Sequence, residues 1–207
     1  MTQSVNPWNT IFAEQGRVFT EPHEAMARIV QLLKTKNAQT ILDLGSGTGR
    51  HVIYLAQNDF ALSGLDSAPE GIAATQQWLA TEGLTADLRL QNMTEPLPYP
   101  DNFFDAVVSV QVIHHADIAT IRAVVAEVSR VLKQDGFLFI TVPKFKNQGK
   151  NFRQIEPNTY IPLDGPEKGL PHHYFSPEAL HSLLADYRVD EIQLDSHAHY
   201  CVWAFKQ

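Results

Sequence analysis

From residue 40 to about residue 143, short and almost wholly apolar runs alternate with longer stretches whose apolar positions recur every three or four residues. The runs at 40–44, 60–65, 86–90, 104–112 and 136–142 predict five strands. The fourth is rich in valine, as suits a strand covered on both faces. Between the runs, Val52, Ile53, Leu55 and Ala56 predict a helix, and Ser67 is the expected N-cap of another that carries Pro69 and Glu70 in its first turn and runs to about Ala80. Asp117 is the expected cap of a third helix, with Ile118, Ile121, Val124, Val125, Val128 and Leu132 on its apolar face. Upstream, Pro22 opens a helical stretch with Met26, Ile29, Val30 and Leu33 on one side. Strand–helix alternation implies right-handed βαβ crossovers, so the expected class is α/β, a doubly wound and mostly parallel sheet with helices on both faces.

The pattern changes at residue 143. Residues 143–177 carry six prolines and three glycines, so no regular structure is expected there, and a connection this long inside a compact domain is usually functional. Phe145, Phe152, Tyr160, Tyr174 and Phe175 can anchor it on the domain, either as a lid or substrate loop or as an insertion that covers a sheet edge. Ser176-Pro177-Glu178 then opens a short helix to about Ala185, and two β-like stretches, 188–194 and 199–205, predict an antiparallel hairpin. The organisation read from this is one domain over 1–207: a helical N-terminal cap (1–37), a ligand-binding core (38–143), the lid or insertion (144–177), and a closing helix and hairpin (178–207).

Composition narrows the function classes. The 207 residues are 44% hydrophobic and 19% charged, which suits an ordinary globule with one substantial core. No apolar run approaches the roughly 20 residues of a membrane-spanning helix, and the start lacks a basic segment followed by an apolar one, so secretion is not expected. Cys201 is the lone cysteine, which fits a reducing cytoplasm. A formal charge of −7 weighs against a nucleic acid partner, and the one approach to a basic cluster, Lys144, Lys146, Lys150 and Arg153, reads as a solvated loop. A small-molecule substrate is favoured.

The candidate chemistry starts at Asp43-Leu44-Gly45-Ser46-Gly47-Thr48-Gly49, where the first strand stops in three alternating glycines. Such a turn lets a ligand reach backbone and aims a helix N-terminus at it. Asp66, at the end of the second strand, can accept from both hydroxyls of a ribose. A nicotinamide loop would read G-x-G-x-x-G, and its third glycine is here Arg50. The D-x-G-x-G-x-G spacing instead resembles class I S-adenosylmethionine (AdoMet)-dependent methyltransferases. Asn92 followed by Leu97-Pro98-Tyr99 and Phe104-Asp105 is similar to the family's adenine-side stretch, with Asn for the usual acid. Glu127-Val-Ser-Arg130-Val-Leu-Lys133-Gln134-Asp135-Gly136 is similar to its E-x-x-R-V-L-K-P-G-G turn.

The resemblance implies a Rossmann-like methyltransferase fold of seven strands with AdoMet as cofactor. Asp43, Gly45, Ser46, Gly47 and Gly49 would then face the methionine part, Asp66 and Ser67 the ribose, Asn92 and Met93 the adenine, and Gln111 the end of the fourth strand. His115 matches the family's post-strand histidine, as a base or hydrogen-bond donor. His114, His172, His173 and Tyr174 are the expected acceptor side. No metal is expected, because adjacent residues on one element point apart and His197 with His199 completes no ligand pattern. Two other classes stay open: a nicotinamide-dependent oxidoreductase, and a non-catalytic AdoMet-binding partner subunit. The aromatic segment around Trp8 and Phe12 either folds over the cofactor or simply docks as a helix.

Overall fold

The computed structural model describes residues 6–145 and 151–207. Lys146 and Lys150 of the basic cluster, with Gly149, lie outside the described residues. The chain divides into two compact units that meet in sequence at Glu95 and Pro96. The strands form a seven-stranded sheet in the order β3-β2-β1-β4-β5-β10-β9, the mostly parallel α/β architecture expected from the strand–helix alternation.

The first unit contains α1 (Pro7–Gln15), α2 (Met26–Thr35), β1 (Thr40–Leu44), α3 (Arg50–Ala56), β2 (Ala61–Asp66), α4 (Pro69–Glu82) and β3 (Asp87–Leu90). β1 pairs in parallel with β2, Ile41 opposite Leu62, and β2 in parallel with β3. Helix α2 buries Met26, Ile29, Val30 and Leu33, the predicted face, and each such side chain contributes about 1.5–3 kcal/mol. Its first turn begins at Met26 rather than at Pro22, because His23 and Ala25 spend their amide groups on side-chain nitrogens first. Ser67 is not the cap of α4: Ala68 stands there, the Asp66 carboxylate takes its amide at 2.8 Å, and Ser67 Oγ accepts from Asn6 Nδ2 at 3.0 Å. That bond belongs to a set that seats α1 on the start of α4. Glu70 N–H donates to Asn9 Oδ1 at 3.0 Å, and the ring of Phe12 lies 3.1 Å from where a Cβ on Gly71 would be.

The second unit contains β4 (Phe104–Val110), α5 (Ile118–Val131), β5 (Leu132–Pro143), β6 (Phe152–Glu156), β7 (Thr159–Pro162), β8 (His172–His173), α6 (Pro177–Leu183), β9 (Tyr187–Leu194) and β10 (His199–Lys206). β4 pairs in parallel with β5, while β10 runs antiparallel to both β5 and β9, so the closing hairpin is as expected. Asp117 caps α5 by accepting from Thr120 N–H, and Ser176 caps α6 by accepting from Ala179 N–H. Leu132 belongs to β5 and not to α5. It pairs with Phe104, and four residues loop out before Phe137 pairs with Ala106; Asp135 takes φ +58° in that excursion. The Glu127–Arg130 pair fixes the preceding segment, since Arg130 also donates to the carbonyls of Leu97 and Tyr99 and to Asp101.

Residues 152–173 overturn the expectation of irregular structure. They form a second, three-stranded antiparallel sheet, β6-β7-β8. The prolines punctuate it instead of preventing it: Pro157 and Asn158 make the hairpin turn, Asn158 at φ +63°, and Pro162 is the last residue of its strand. Glu156 holds the sheet to α5, accepting from Ile118 N–H and from Thr159 Oγ1, both at 2.7 Å. A carboxylate at this helix N-terminus replaces a lost intrahelical bond and complements the dipole. Glu156→Ala is therefore expected to cost about 1–2 kcal/mol. In amide hydrogen exchange it should deprotect Ile118 together with the strands β6 and β7, while Glu156→Gln keeps most of the protection.

Candidate functional site

β1 and β2 end side by side, and the glycine turn is tied to both. The amides of Gly45 and Ser46 donate to the Leu65 carbonyl at 2.8 and 3.1 Å, Gly47 N–H to Asp66 Oδ2 at 2.8 Å, and Gly49 N–H to the Ser46 carbonyl at 2.9 Å. Gly45, Gly47 and Gly49 take φ +78°, +54° and +92°, which side chains rarely tolerate. A Cβ on Gly49 would lie 2.6 Å from Thr75 Cγ2, and Thr75 Oγ1 donates to the carbonyls of Gly47 and Gly71. Thr75 thus shapes the turn from α4, a role that helical periodicity alone does not reveal.

Asp43 is fully buried below this turn, and neither carboxylate oxygen has a hydrogen-bond partner. Burial pushes its carboxyl up to about 7; the Arg50 guanidinium opposes that and Asp66 adds to it. Arg50, which the glycine spacing marks only as the missing third glycine, tempers that rise from a distance, while its own Nη1 donates to the Glu21 carbonyl and its guanidinium lies 5.1 Å from the centre of the Phe19 ring. Burial also raises Asp66, against the amides of Ala68, Gly47 and Ser67. Its two oxygens each accept one of these amide bonds and keep a lone pair for a hydroxyl. Ser46 Oγ is buried without a partner. Asn92 is exposed at the end of β3, and its Oδ1 already accepts from Thr94 N–H and Thr94 Oγ1, both at 3.0 Å, which leaves its amide group as the donor. Met93 beside it is partly exposed.

In the second unit, β4 ends at Val110 and not at residue 112, because Gln111 turns the chain at φ +61° with its N–H on Thr141. The side chain of Gln111 meets His199 Nδ1 at 3.3 Å. That contact is made by Gln111 Nε2, and the same ring nitrogen is also 3.2 Å from Asp195 Oδ2. His197 lies in the turn before β10.

The chain past Gln111 is a turn, and this corrects the expectation that adjacent histidines point apart. The rings of His114 and His115 are 4.0 Å apart between centroids, and His172 lies 4.7 Å from His115 and 5.8 Å from His114. Burial holds His114 well below its ordinary value and brings His115 down to about 4, so both are neutral at pH 7. His172 Nδ1 meets the Leu170 carbonyl at 2.9 Å and Nε2 meets Glu167 at 3.1 Å. Glu167, absent from the sequence reading, lies in the proline- and glycine-rich stretch where no motif marks it. His173 N–H donates to the His114 carbonyl and its ring meets Thr159 Oγ1 at 2.7 Å, two bonds that fasten the insertion. Tyr174 packs edge-on between Phe145 and Tyr160.

Residues 42–140 match the family model of a methyltransferase domain. The uncharacterized methyltransferase YcgJ of Bacillus subtilis is 29% identical over 125 residues, 60% of this chain and 48% of that protein. The chain spans about half the length of the curated relatives it matches. A SAM-dependent methyltransferase from Methanosarcina mazei superimposes with a TM-score of 0.75 at 20% identity, over 90% of this chain and 98% of that one. The 1,6-didemethyltoxoflavin-N1-methyltransferase of Burkholderia thailandensis, solved with 1,6-didemethyltoxoflavin and S-adenosylhomocysteine, gives a TM-score of 0.67 at 20% identity over 97% and 87%. These structures share the Rossmann-like fold.

Asp43 makes the free protein's stability depend on pH in a stated direction. Its carboxyl binds a proton more tightly in the folded than in the unfolded chain, so its contribution falls as pH rises from about 3.8 to about 7. Asp43→Asn is expected to stabilise the ligand-free protein by up to about 4 kcal/mol at pH 8, with the gain fading toward pH 4. Urea unfolding of both proteins across this range measures the difference.

Proposed function

We propose that this chain, of which residues 42–140 match a methyltransferase domain, is a class I methyltransferase that binds S-adenosylmethionine and moves its methyl group to a small-molecule acceptor in the cytoplasm. The observation that carries the reading is Asp43, a buried carboxylate directly before the glycine turn with neither oxygen partnered. A buried carboxylate is stable only beside a cation or as the neutral acid. The ammonium group of a methionine moiety fits that need.

The remaining positions suit the rest of the cofactor. Asp66 keeps two lone pairs for a pair of ribose hydroxyls, with Ser67 exposed beside it. Gly45, Gly47 and Gly49 bare the backbone where a methionine must lie close to it, and Ser46 adds a buried hydroxyl without a partner. Met93 offers an apolar surface for a base, and Asn92 a donor for a ring nitrogen. Gln111 and the histidines follow the carboxyl end of a parallel strand, where ligands of open α/β sheets bind.

When bound, the cofactor supplies a methyl group already activated by a sulfonium. The protein's contribution is then alignment and exclusion of water. His115, neutral at pH 7, can take the proton of an acceptor that arrives as a hydroxyl, thiol or amine. His114, His172 and Tyr174 stand for the acceptor side, and the acidic charge balance favours a small molecule over nucleic acid.

Isothermal titration with AdoMet and with S-adenosylhomocysteine tests the reading. Asp66→Asn should weaken AdoMet about 10- to 100-fold, the value of a lost charge-assisted bond pair. Because an ammonium group favours ionised Asp43, binding should release a proton near pH 7 and weaken as pH falls below 7. Titrations in two buffers of different ionisation enthalpy read that release, and Asp43→Asn should abolish it. A folded protein that binds neither compound would sink the proposal.

A further inference from the structure

The geometry points to a binding site for one divalent transition-metal ion of the zinc class, formed by His114, His115, His172 and the carboxylate of Glu167. One available ligand atom from each of the three histidines lies within 4.8 Å of the other two. Around a tetrahedral ion with bonds of about 2.0–2.1 Å, neighbouring nitrogens sit about 3.4 Å apart, so closure asks only for side-chain movements on the order of 1 Å. The turn after β4 supplies two of the rings and β8 the third, so the set comes from two elements already held together by the bond from His173 N–H to the His114 carbonyl.

Three further features separate this cluster from a chance gathering of rings. His172 meets a backbone carbonyl, that of Leu170, through Nδ1 at 2.9 Å. Such an outer bond is one that metal-bound histidines commonly make, and it leaves Nε2 as the nitrogen for an ion. Nε2 in turn meets Glu167 Oε2 at 3.1 Å, and the carboxylate is thereby delivered to the same point as the rings. His114 is 5% exposed, and its Nδ1 is buried with no hydrogen-bond partner. An ion would satisfy a nitrogen that the protein leaves alone.

The donor chemistry chooses the ion. Three imidazoles with one carboxylate form a borderline nitrogen and oxygen set, suited to Zn²⁺, Co²⁺, Ni²⁺ or Fe²⁺ and poorly suited to Mg²⁺ or Ca²⁺. On binding, His172 Nε2 gives up to solvent the proton it shares with Glu167, and both groups become ligands. The inference concerns the second unit alone and does not rest on AdoMet binding.

The full-length protein, stripped by a chelator and exchanged into buffer, is titrated with Zn²⁺ by calorimetry and with Co²⁺ by visible absorption. One ion per chain is expected, with Co²⁺ giving the intense visible bands that mark a four-coordinate site. His172→Ala and His115→Ala should each weaken Zn²⁺ at least 100-fold, and Glu167→Gln about 10-fold. His181→Ala and Cys201→Ser should leave both the stoichiometry and the Co²⁺ spectrum unchanged. Thermal melts establish that each variant is folded, and Zn²⁺ should raise the melting temperature of the wild type but not of His172→Ala. No stoichiometric binding, binding unchanged in the histidine variants, or binding lost with Cys201 would each overturn the site. If AdoMet binds and Zn²⁺ does not, the proposal fails while the methyltransferase reading stands; the reverse result separates them the other way.

Discussion

A carboxylate set under a glycine turn, with no proton donor of the protein aimed at it, is the constraint from which the first unit is built. Asp43 is fully buried and lifted to about 7, so the ligand-free chain tolerates it only near the neutral form. Everything around it makes that position hard to relax. The Leu65 carbonyl and the Asp66 carboxylate use up the amides of Gly45, Ser46 and Gly47, and Thr75 closes the turn from behind. Asp43 cannot recruit these amides without dismantling the strand ends, so its unmet demand is kept for a visitor of positive charge.

In the second unit, the corresponding device is a shell of bonds to the backbone that place side chains rather than bind anything themselves. Glu156 fixes β6 and β7 on the start of α5, and His173 ties β8 to the turn that carries His114 and His115. The bridge between Lys144 and Phe175 closes the same segment onto the end of β5. The insertion is therefore docked at several points, and the histidines it brings together owe their spacing to that docking and not to a shared helix or strand.

The sequence was most legible where local physics decides. Apolar periodicity locates the strands of the seven-stranded sheet and the buried face of α2, and the caps at Asp117 and Ser176 are bonds between a side chain and an amide three residues on. It misled where a residue type has two uses. Ser67 has the chemistry of a cap, but Asp66 reaches the Ala68 amide first. Prolines read as breakers of structure, yet Pro157 starts a hairpin turn and Pro162 ends a strand. Glu167 and Arg50 were out of reach, because their meaning depends on partners 5 and 7 positions away across turns whose shape no spacing rule gives. The histidine pair was misjudged for the same reason: the rule that neighbours diverge holds on a strand, and the strand stops at Val110.

The seating of α1 carries one last implication. Phe12 occupies the space that a side chain on Gly71 would need and stands 3.5 Å from the corresponding position on Gly47, so the leading helix and the turn are a single mechanical piece. Any rearrangement of that turn must be felt by residues 7–15, and a fluorophore or spin label placed on this helix would act as a remote gauge of what happens beneath it.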